Sequence, residues 1–309
     1  MSKRWVLPTY GGIDALEFVD AVASAPAAGE VTIAVTAAGV NPSDYKGLSG
    51  GWNADESLLP VGVGQEAAGV VTAVGDEVTH VAAGDRVVAF KVAGGFATDL
   101  TVSASDVFAL PASIGDVTAA GLLHVGVVAA ELLALSGARD GETLLVHAGS
   151  GSVGSLVLQL ARLAGVRTIA TASPGNHERL RALGAEPTTY GDGLTDRVRA
   201  LAPEGVDAAV DAAGTDEALA VSLDLVADPS RIATLAPGPK AREAGVGISA
   251  GAAPASIAFR MPARARILAL AASGDLTLTI ARTFSLADAP EALRFVATGH
   301  PDGKVVLTV

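Results

Sequence analysis

The segment HAGSGSVG, residues 147–154, spaces three glycines as Gly149, Gly151 and Gly154. Glycine supplies 36 of the 309 residues, so the spacing alone says little and its flanks must decide what it does. Before it, TLLVHA (143–148) is a short apolar run of strand type. After it, VGSLVLQLARLAG (153–165) repeats Val153, Leu156, Val157, Leu160 and Leu163 at helical spacing. A strand, a tight turn and a helix start in this order suit the diphosphate of a dinucleotide. Gly149 permits the turn, Gly151 lets backbone approach the anion, and Gly154 lets the helix pack on the strand. Ser150, Ser152 and Val153 complete the loop and helix start whose N–H groups face the ligand. No Lys-Ser/Thr follows at the Walker spacing, so the loop is not a P-loop. A purely structural turn is the competing reading.

The next strand, VRTIATAS (166–173), decides which dinucleotide is expected. A site selective for NAD places an acid near its end, on the ribose 2′-hydroxyl. Here Ser173 stands in that place, and Asn176, His177 and Arg179 offer donors where a 2′-phosphate would sit; Glu178 lies one residue away from its neighbours and points elsewhere on a helix. NADPH is favoured over NADH. The alternative is an ordinary helix start capped by Ser173 or Asn176.

These segments need a scaffold, and composition bounds it. Half the residues are apolar and 17% are charged, a packed globular mixture. The net charge of −12 argues against nucleic acid or an anionic membrane as partner. No cysteine is present, which removes disulfides, thiolate catalysis and thiolate zinc sites. The basic start MSKRWVLPTYGG lacks a signal peptide's apolar run, and no stretch reads as a membrane span, so a soluble, cytoplasmic protein is expected.

Along the chain, VTIAVTAAGV (31–40), EAAGVVTAVG (66–75), DRVVAF (85–90) and FATDLTVSA (96–104) read as strands of a partly open barrel or sandwich. From about Ile114 helices and strands alternate. A long apolar helix (119–135) precedes the glycine-loop unit, followed by a helix at 177–185 and a strand at 206–214, the pattern of a parallel sheet covered on both faces. A helix over 261–276, a strand and helix over 281–295 and a last strand at 303–309 follow, and 237–256 reads as loop.

Six stretches in order, AAGVNPSDYKG (37–47), PVGVGQEAAGVVTAVGDEVTHVAAGDRVVAF (60–90), GGFATDL (94–100), GETLLVHAGSGSVG (141–154), RALGAEPTTY (181–190) and GKVVLTV (303–309), resemble the zinc-independent quinone oxidoreductase branch of the medium-chain dehydrogenase/reductase superfamily. The resemblance implies an α/β chain: a GroES-like, partly open β-barrel catalytic domain at 1–115 and 257–309, and a Rossmann doubly wound parallel-sheet domain at 116–256. It implies NADPH as cofactor, with Asn41, Asp44, Tyr45 and Lys46 at the substrate mouth. Asn41 would donate to a carbonyl or hold a water, and Tyr45 or Lys46 would reach the substrate oxygen or a cofactor ribose. A turn capping a short helix is the other reading of Asn41-Pro42-Ser43-Asp44. Tyr190 is placed against the 2′-phosphate, and Ala213, Leu235 and Lys304 complete the implied cofactor positions. A homodimer through the sheet edge near VGISAG (246–251) is implied too.

Zinc-dependent relatives carry a Cys where this chain has GVNPSD and a His where it has Gln65, and the five histidines, His80, His124, His147, His177 and His300, show no ligand spacing. Where many relatives have a Thr-Ala pair, this chain has Val127-Val128-Ala129-Ala130. GLSGG (47–51) fits a hydrolase elbow only formally, because no strand precedes Ser49. His147 reads as a core histidine, and Asp76 with Glu77 as a solvated turn. The expected function is hydride transfer from NADPH to a small quinone or α,β-unsaturated carbonyl without a metal. A non-catalytic NADPH-binding sensor or structural protein is the alternative.

Overall fold

The computed structural model describes residues 2–22, 24–50, 54–299 and 301–309. His300 and the Gly51, Trp52 and Asn53 end of the GLSGG loop lie outside the described residues. The chain forms two compact units, Met1–His124 with Leu278–Val309, and Val125–Thr277.

The first unit begins with strands β1 (Ser2–Leu7), β2 (Glu17–Ala21) and β3 (Glu30–Val40), the short helix α1 (Pro42–Lys46), and strands β4 (Val61–Gly62), β5 (Glu66–Val74), β6 (Arg86–Phe90), β7 (Asp99–Ser103) and β8 (Val107–Ala109). Helix α2 (Asp116–Ser136) contains the boundary. The second unit continues with β9 (Thr143–His147), α3 (Ser152–Leu163), β10 (Arg167–Thr171), α4 (His177–Ala182), β11 (Glu186–Thr188), α5 (Leu194–Leu201), β12 (Ala208–Asp211), α6 (Asp216–Leu225), β13 (Ile232–Thr234), α7 (Pro239–Glu243), β14 (Gly247–Ile248) and α8 (Pro254–Ser273). The chain then returns to the first unit as β15 (Ile280–Ser285), α9 (Ala289–Ala297) and β16 (Lys304–Thr308).

In the first unit β3 organises the larger sheet, of order β15-β16-β3-β5-β6-β8. One side of β3 pairs with β7 over Glu30–Ala34 and with β16 over Ala37–Val40, while β5 takes the other side. Two register shifts against β5 bend the strand enough to share its edge in this way. The curved sheet encloses Ile33, Val35, Val71, Val87, Phe96 and Leu293. This is the GroES-like architecture. Both chain ends build it: Trp5 Nε1 in β1 donates to Leu286 O at 2.7 Å.

The second unit is a six-stranded sheet of order β11-β10-β9-β12-β13-β14, every pair parallel. The strands are short and apolar throughout because helices cover both faces. Strand order reverses between β9 and β12, and in such open sheets the crevice at the carboxyl end of that reversal is the ligand position. The glycine loop leaves β9 there. This is a Rossmann fold, with β14 as an edge strand.

Three expectations change. The unit boundaries fall at 124/125 and 277/278 instead of 115/116 and 256/257, because α8 belongs to the Rossmann unit: Ile267 fills the space a Cβ on Gly126 would need. The helix expected at 261–276 begins at Pro254, inside the stretch read as loop, and carries Pro262 in its interior; that stretch also holds α7 and β14. Finally, α2 is long and apolar enough to cross a membrane by length and composition, contrary to the expectation that no such stretch exists. Two-thirds of its apolar window is buried in the protein, as a helix hydrophobic on all sides is when it serves as core.

Candidate functional site

The Rossmann unit gathers the expected dinucleotide residues at the carboxyl ends of its strands. Gly149 is expected to permit the turn after β9; the residue with left-handed backbone there is Ala148, at φ +55°. Gly149 is needed for a different reason: a Cβ there would lie 2.8 Å from Ala170 Cβ in the neighbouring strand. Gly154 packs α3 onto the loop, since its Cβ would lie 2.2 Å from Ala148 O. Gly151 differs from both. A Cβ on it would meet only Ala148 O, at 3.4 Å, an ordinary contact. Nothing in the fold requires glycine at 151, whereas a ligand resting on the loop would.

The amides of Gly149 and Gly151 donate within the protein, to Thr171 O at 2.9 Å and Ala148 O at 3.1 Å. The donors that remain for an anion are those of the first turn of α3, from Ser152, Val153 and Gly154, which have no acceptor within their own helix. Ser150 turns its carbonyl to Arg179, whose Nη2 donates to it at 2.5 Å and so ties α4 to the glycine loop. Ser173 and Asn176 stand at the N-cap positions of the 3₁₀ turn and of α4, as the capping reading has them; Asn176 N donates to Ser173 O at 2.9 Å and its Nδ2 to Ser173 Oγ at 3.0 Å. His177 Nε2 lies 3.3 Å from Ala172 O. Tyr190 follows β11, which pairs with β10, and is exposed at the same sheet edge. Ser173, Asn176, His177 and Arg179 thus follow β10, and Tyr190 follows its parallel neighbour β11; Glu178 among them pairs with Arg181.

Ala213 and Leu235 follow β12 and β13 at the same end of the sheet. Asp211 organises both: its Oδ1 accepts from Ala213 N at 2.9 Å and Gly214 N at 2.8 Å, Oδ2 accepts from Thr234 Oγ1, and its carbonyl accepts from Leu235 N at 3.2 Å. Position 213 can therefore offer a ligand its carbonyl and not its amide. A hollow of about 300 Å³, lined among others by Asp211, Gly214, Thr234, Ala236 and Lys240, opens beside them. His147 is a core histidine. It is buried beside Asp211, its Nε2 is 3.1 Å from Ser222 Oγ, and desolvation pushes its pKa down to about 4 against the pull of Asp211.

The GroES-like unit holds the other candidates. Asn41 caps α1 through a capping box, its own N–H donating to Asp44 Oδ2 at 2.8 Å. Its side chain is not free to donate to a substrate carbonyl as expected. Nδ2 donates to Glu66 Oε1 at 3.1 Å, and Oδ1 accepts from the ammonium of Lys304. Lys304 was expected among the cofactor positions. It is instead enclosed, donating to Glu66 Oε1 at 2.7 Å. Glu66, absent from the expected site residues, is the centre of this network, and His124 N donates to its second oxygen at 3.1 Å. The only trace in the sequence is an acid heading a strand whose one other polar side chain is Thr72.

Tyr45 is half-buried on the core, and Lys46 is exposed. Gln65 Nε2 donates to Ser43 Oγ at 2.9 Å. Ser49 sits in a single 3₁₀ turn that follows α1, not at a strand-to-helix elbow. Asp76 and Glu77 form an exposed turn. Among the described residues, no group of three or more His, Asp or Glu side chains is placed to hold a metal ion.

Burial raises the Asp44 pKa from 3.8 to about 7, opposed by the Asn41 N–H and Lys304 and assisted by Glu66. The folded state holds that proton more tightly than the unfolded chain. The group therefore stabilises the fold fully below its ordinary pKa and loses that contribution as pH rises toward about 7. Asp44→Asn is expected to gain stability relative to the parent between about pH 5 and about pH 8, by on the order of 2 kcal/mol. Urea unfolding of both proteins at the two pH values checks this; a difference that does not change with pH contradicts it.

Two family profiles match this chain: the alcohol dehydrogenase GroES-like domain over residues 27–112 and the zinc-binding dehydrogenase over residues 183–307. The solved quinone oxidoreductase of Pseudomonas syringae pv. Tomato DC3000 is 30% identical, with both chains covered in full and a TM-score of 0.87. A mycobacterial protein solved with NADPH is 28% identical, again over 100% of both chains, with a TM-score of 0.86. The synaptic vesicle membrane protein VAT-1 homolog of Rattus norvegicus is 36% identical over 215 residues, 68% of this chain and 53% of that protein. The chain spans about half the length of that curated relative. Two domains of matching architecture, a full-length relative at this identity and a glycine loop at the sheet's switch point agree: the chain belongs to the zinc-independent quinone oxidoreductase branch of the medium-chain dehydrogenase/reductase superfamily.

Proposed function

We propose that the protein is an NADPH-dependent oxidoreductase that reduces a small quinone or α,β-unsaturated carbonyl without zinc. The observation that carries the cofactor reading is Gly151, a glycine the fold itself does not need, at the head of a helix whose first-turn amides have no acceptor within the helix. When bound, NADPH supplies a hydride from C4 of its nicotinamide. The chain holds the diphosphate with the Ser152, Val153 and Gly154 amides, and meets the 2′-phosphate with Arg179, Asn176, Ser173 and His177. Arg179 is already fixed to the loop through Ser150, so it presents its charge without further ordering. The relative solved with NADPH supports this choice.

The zinc-free reading rests on the donor set. The chain has no cysteine, and Gln65, which stands where zinc-dependent relatives carry a histidine, uses its amide on Ser43. The negative charge that develops on a substrate oxygen must then be met by hydrogen-bond donors, for which Tyr45 is the candidate with an apolar backing. NADPH oxidation followed against a panel of quinones and alkenals tests the reading. Turnover on at least one acceptor is expected; saturable binding with no turnover on any would favour a sensor instead.

Cofactor choice is tested separately by Arg179→Ala. NADPH affinity is expected to fall about 10- to 100-fold while NADH affinity changes less than about threefold, the loss of a charge-assisted contact to the phosphate alone. Equal losses for the two coenzymes would mean that Arg179 only braces the loop.

A further inference from the structure

Beyond the carboxyl end of β11 the chain wraps around one guanidinium. Arg197 of α5 donates from Nη1 to Asp192 O at 2.7 Å, and from Nη2 to Thr189 O at 2.9 Å and Gly191 O at 3.1 Å, with Tyr190 O 3.4 Å away. Gly191 and Gly193, at φ +89° and +77°, supply the left-handed steps that let these carbonyls converge. No carboxylate pairs with Arg197 among the described residues, so backbone dipoles surround its charge without cancelling it. In a planar trans peptide the C=O and the following N–H point in opposite directions. With the carbonyls of 189–192 turned inward, the amides of Tyr190, Gly191, Asp192 and Gly193 turn outward, and none of the four has an acceptor among the described residues. The loop shows donors, not acceptors, on its outer surface. Its place follows from the sheet register: β10 and β11 pair as Thr171↔Thr188, and Ala172 N donates to Thr188 O at 3.0 Å. Two residues further along each strand come Ser173 and Tyr190. Ser173 stands where a Rossmann site selective for NAD carries its acid on the ribose 2′-hydroxyl. The donor surface thus begins one strand away from the position that separates the two coenzymes, within the Rossmann unit alone.

We propose that Arg197 is a specificity-determining positioning residue for the coenzyme's 2′-phosphate: it holds the carbonyls of 189–192 away from that anion and turns the loop amides out toward it. The inference rests on the reading of the chain as an NADPH-binding protein. A phosphate accepts hydrogen bonds and is repelled by carbonyl oxygens, so it distinguishes the two faces of such a loop. A 2′-hydroxyl both donates and accepts, and tolerates either face. The orientation that Arg197 imposes therefore acts on NADPH and hardly on NADH. The one acid in the loop, Asp192, is exposed, where water and salt screen its carboxylate.

Calorimetric titration of the parent, Arg197→Met and Arg197→Lys proteins with NADPH and NADH tests it, with adenosine 2′,5′-bisphosphate and AMP as fragment probes. Arg197→Met is expected to weaken NADPH and the bisphosphate by about 10-fold or more, and NADH and AMP by less than about threefold. Arg197→Lys keeps the charge, but a single ammonium cannot span the carbonyls at both ends of the loop, so its affinities are expected to stay within about threefold of those of Arg197→Met. In the parent, the backbone amide resonances of residues 190–193 are expected to move when the bisphosphate is added and to move less with AMP, a readout that depends on no variant folding. Equal losses for the two coenzymes, parent affinity restored in Arg197→Lys, or amide resonances that respond alike to both fragments would overturn the inference while leaving NADPH binding intact. A parent protein that binds neither coenzyme removes both the inference and the reading beneath it.

Discussion

Gly151→Val is expected to weaken NADPH binding by about 100-fold or more, equivalent to about 2.7 kcal/mol, with thermal unfolding of the free protein nearly unchanged. The reason is the asymmetry among the three loop glycines. A Cβ at 151 would touch only Ala148 O at 3.4 Å, so the fold accepts it, yet it projects where backbone must approach a diphosphate. Gly154→Ala is the control with the opposite pattern: its Cβ would lie 2.2 Å from Ala148 O and 2.9 Å from Gly149 Cα, backbone atoms that cannot step aside. That variant is expected to lose about 1–3 kcal/mol of stability. Calorimetric titration and thermal melts of the two variants separate the roles. A Gly151→Val protein that binds NADPH as the parent does would return the loop to a structural turn.

Lys304→Met is expected to cost about 3–5 kcal/mol of folding stability, because it leaves the buried Glu66 without a counter-charge. The double variant Lys304→Met with Glu66→Gln removes both charges and is expected to recover most of that loss. Glu66→Gln alone is milder, since Asp44 can then pair with the ammonium. Denaturant unfolding measures all three. A loss below about 1 kcal/mol for Lys304→Met would show that the ammonium is not confined to this network.

What could be read in advance was local. The glycine loop was legible because β9, the turn and α3 are consecutive, and the short apolar strands of the parallel sheet carry their burial in their composition. Long-range commitments were not. Glu66 meets Asn41 across 25 residues and Lys304 across 238, and no periodicity marks such a meeting. For the same reason the sequence offers Lys304 to a cofactor and Asn41 to a substrate, whereas in the fold both answer Glu66. The start of α8 was hidden by Pro254 and Pro262, the first harmless at an N-terminal position and the second tolerated inside the helix. Gly149 shows a subtler limit. The spacing predicts that glycine is required there, and the requirement is the approach of Ala170 from the next strand and not the turn, which Ala148 makes.

Titration of the purified protein with NADPH and NADH, followed calorimetrically, bears most directly on the dinucleotide site. Saturable one-to-one binding is expected, with NADPH at least about tenfold the tighter, the worth of one charge-assisted contact to the 2′-phosphate. Failure to bind either coenzyme, or a preference for NADH, would contradict the assignment of the α3 amides and of Arg179.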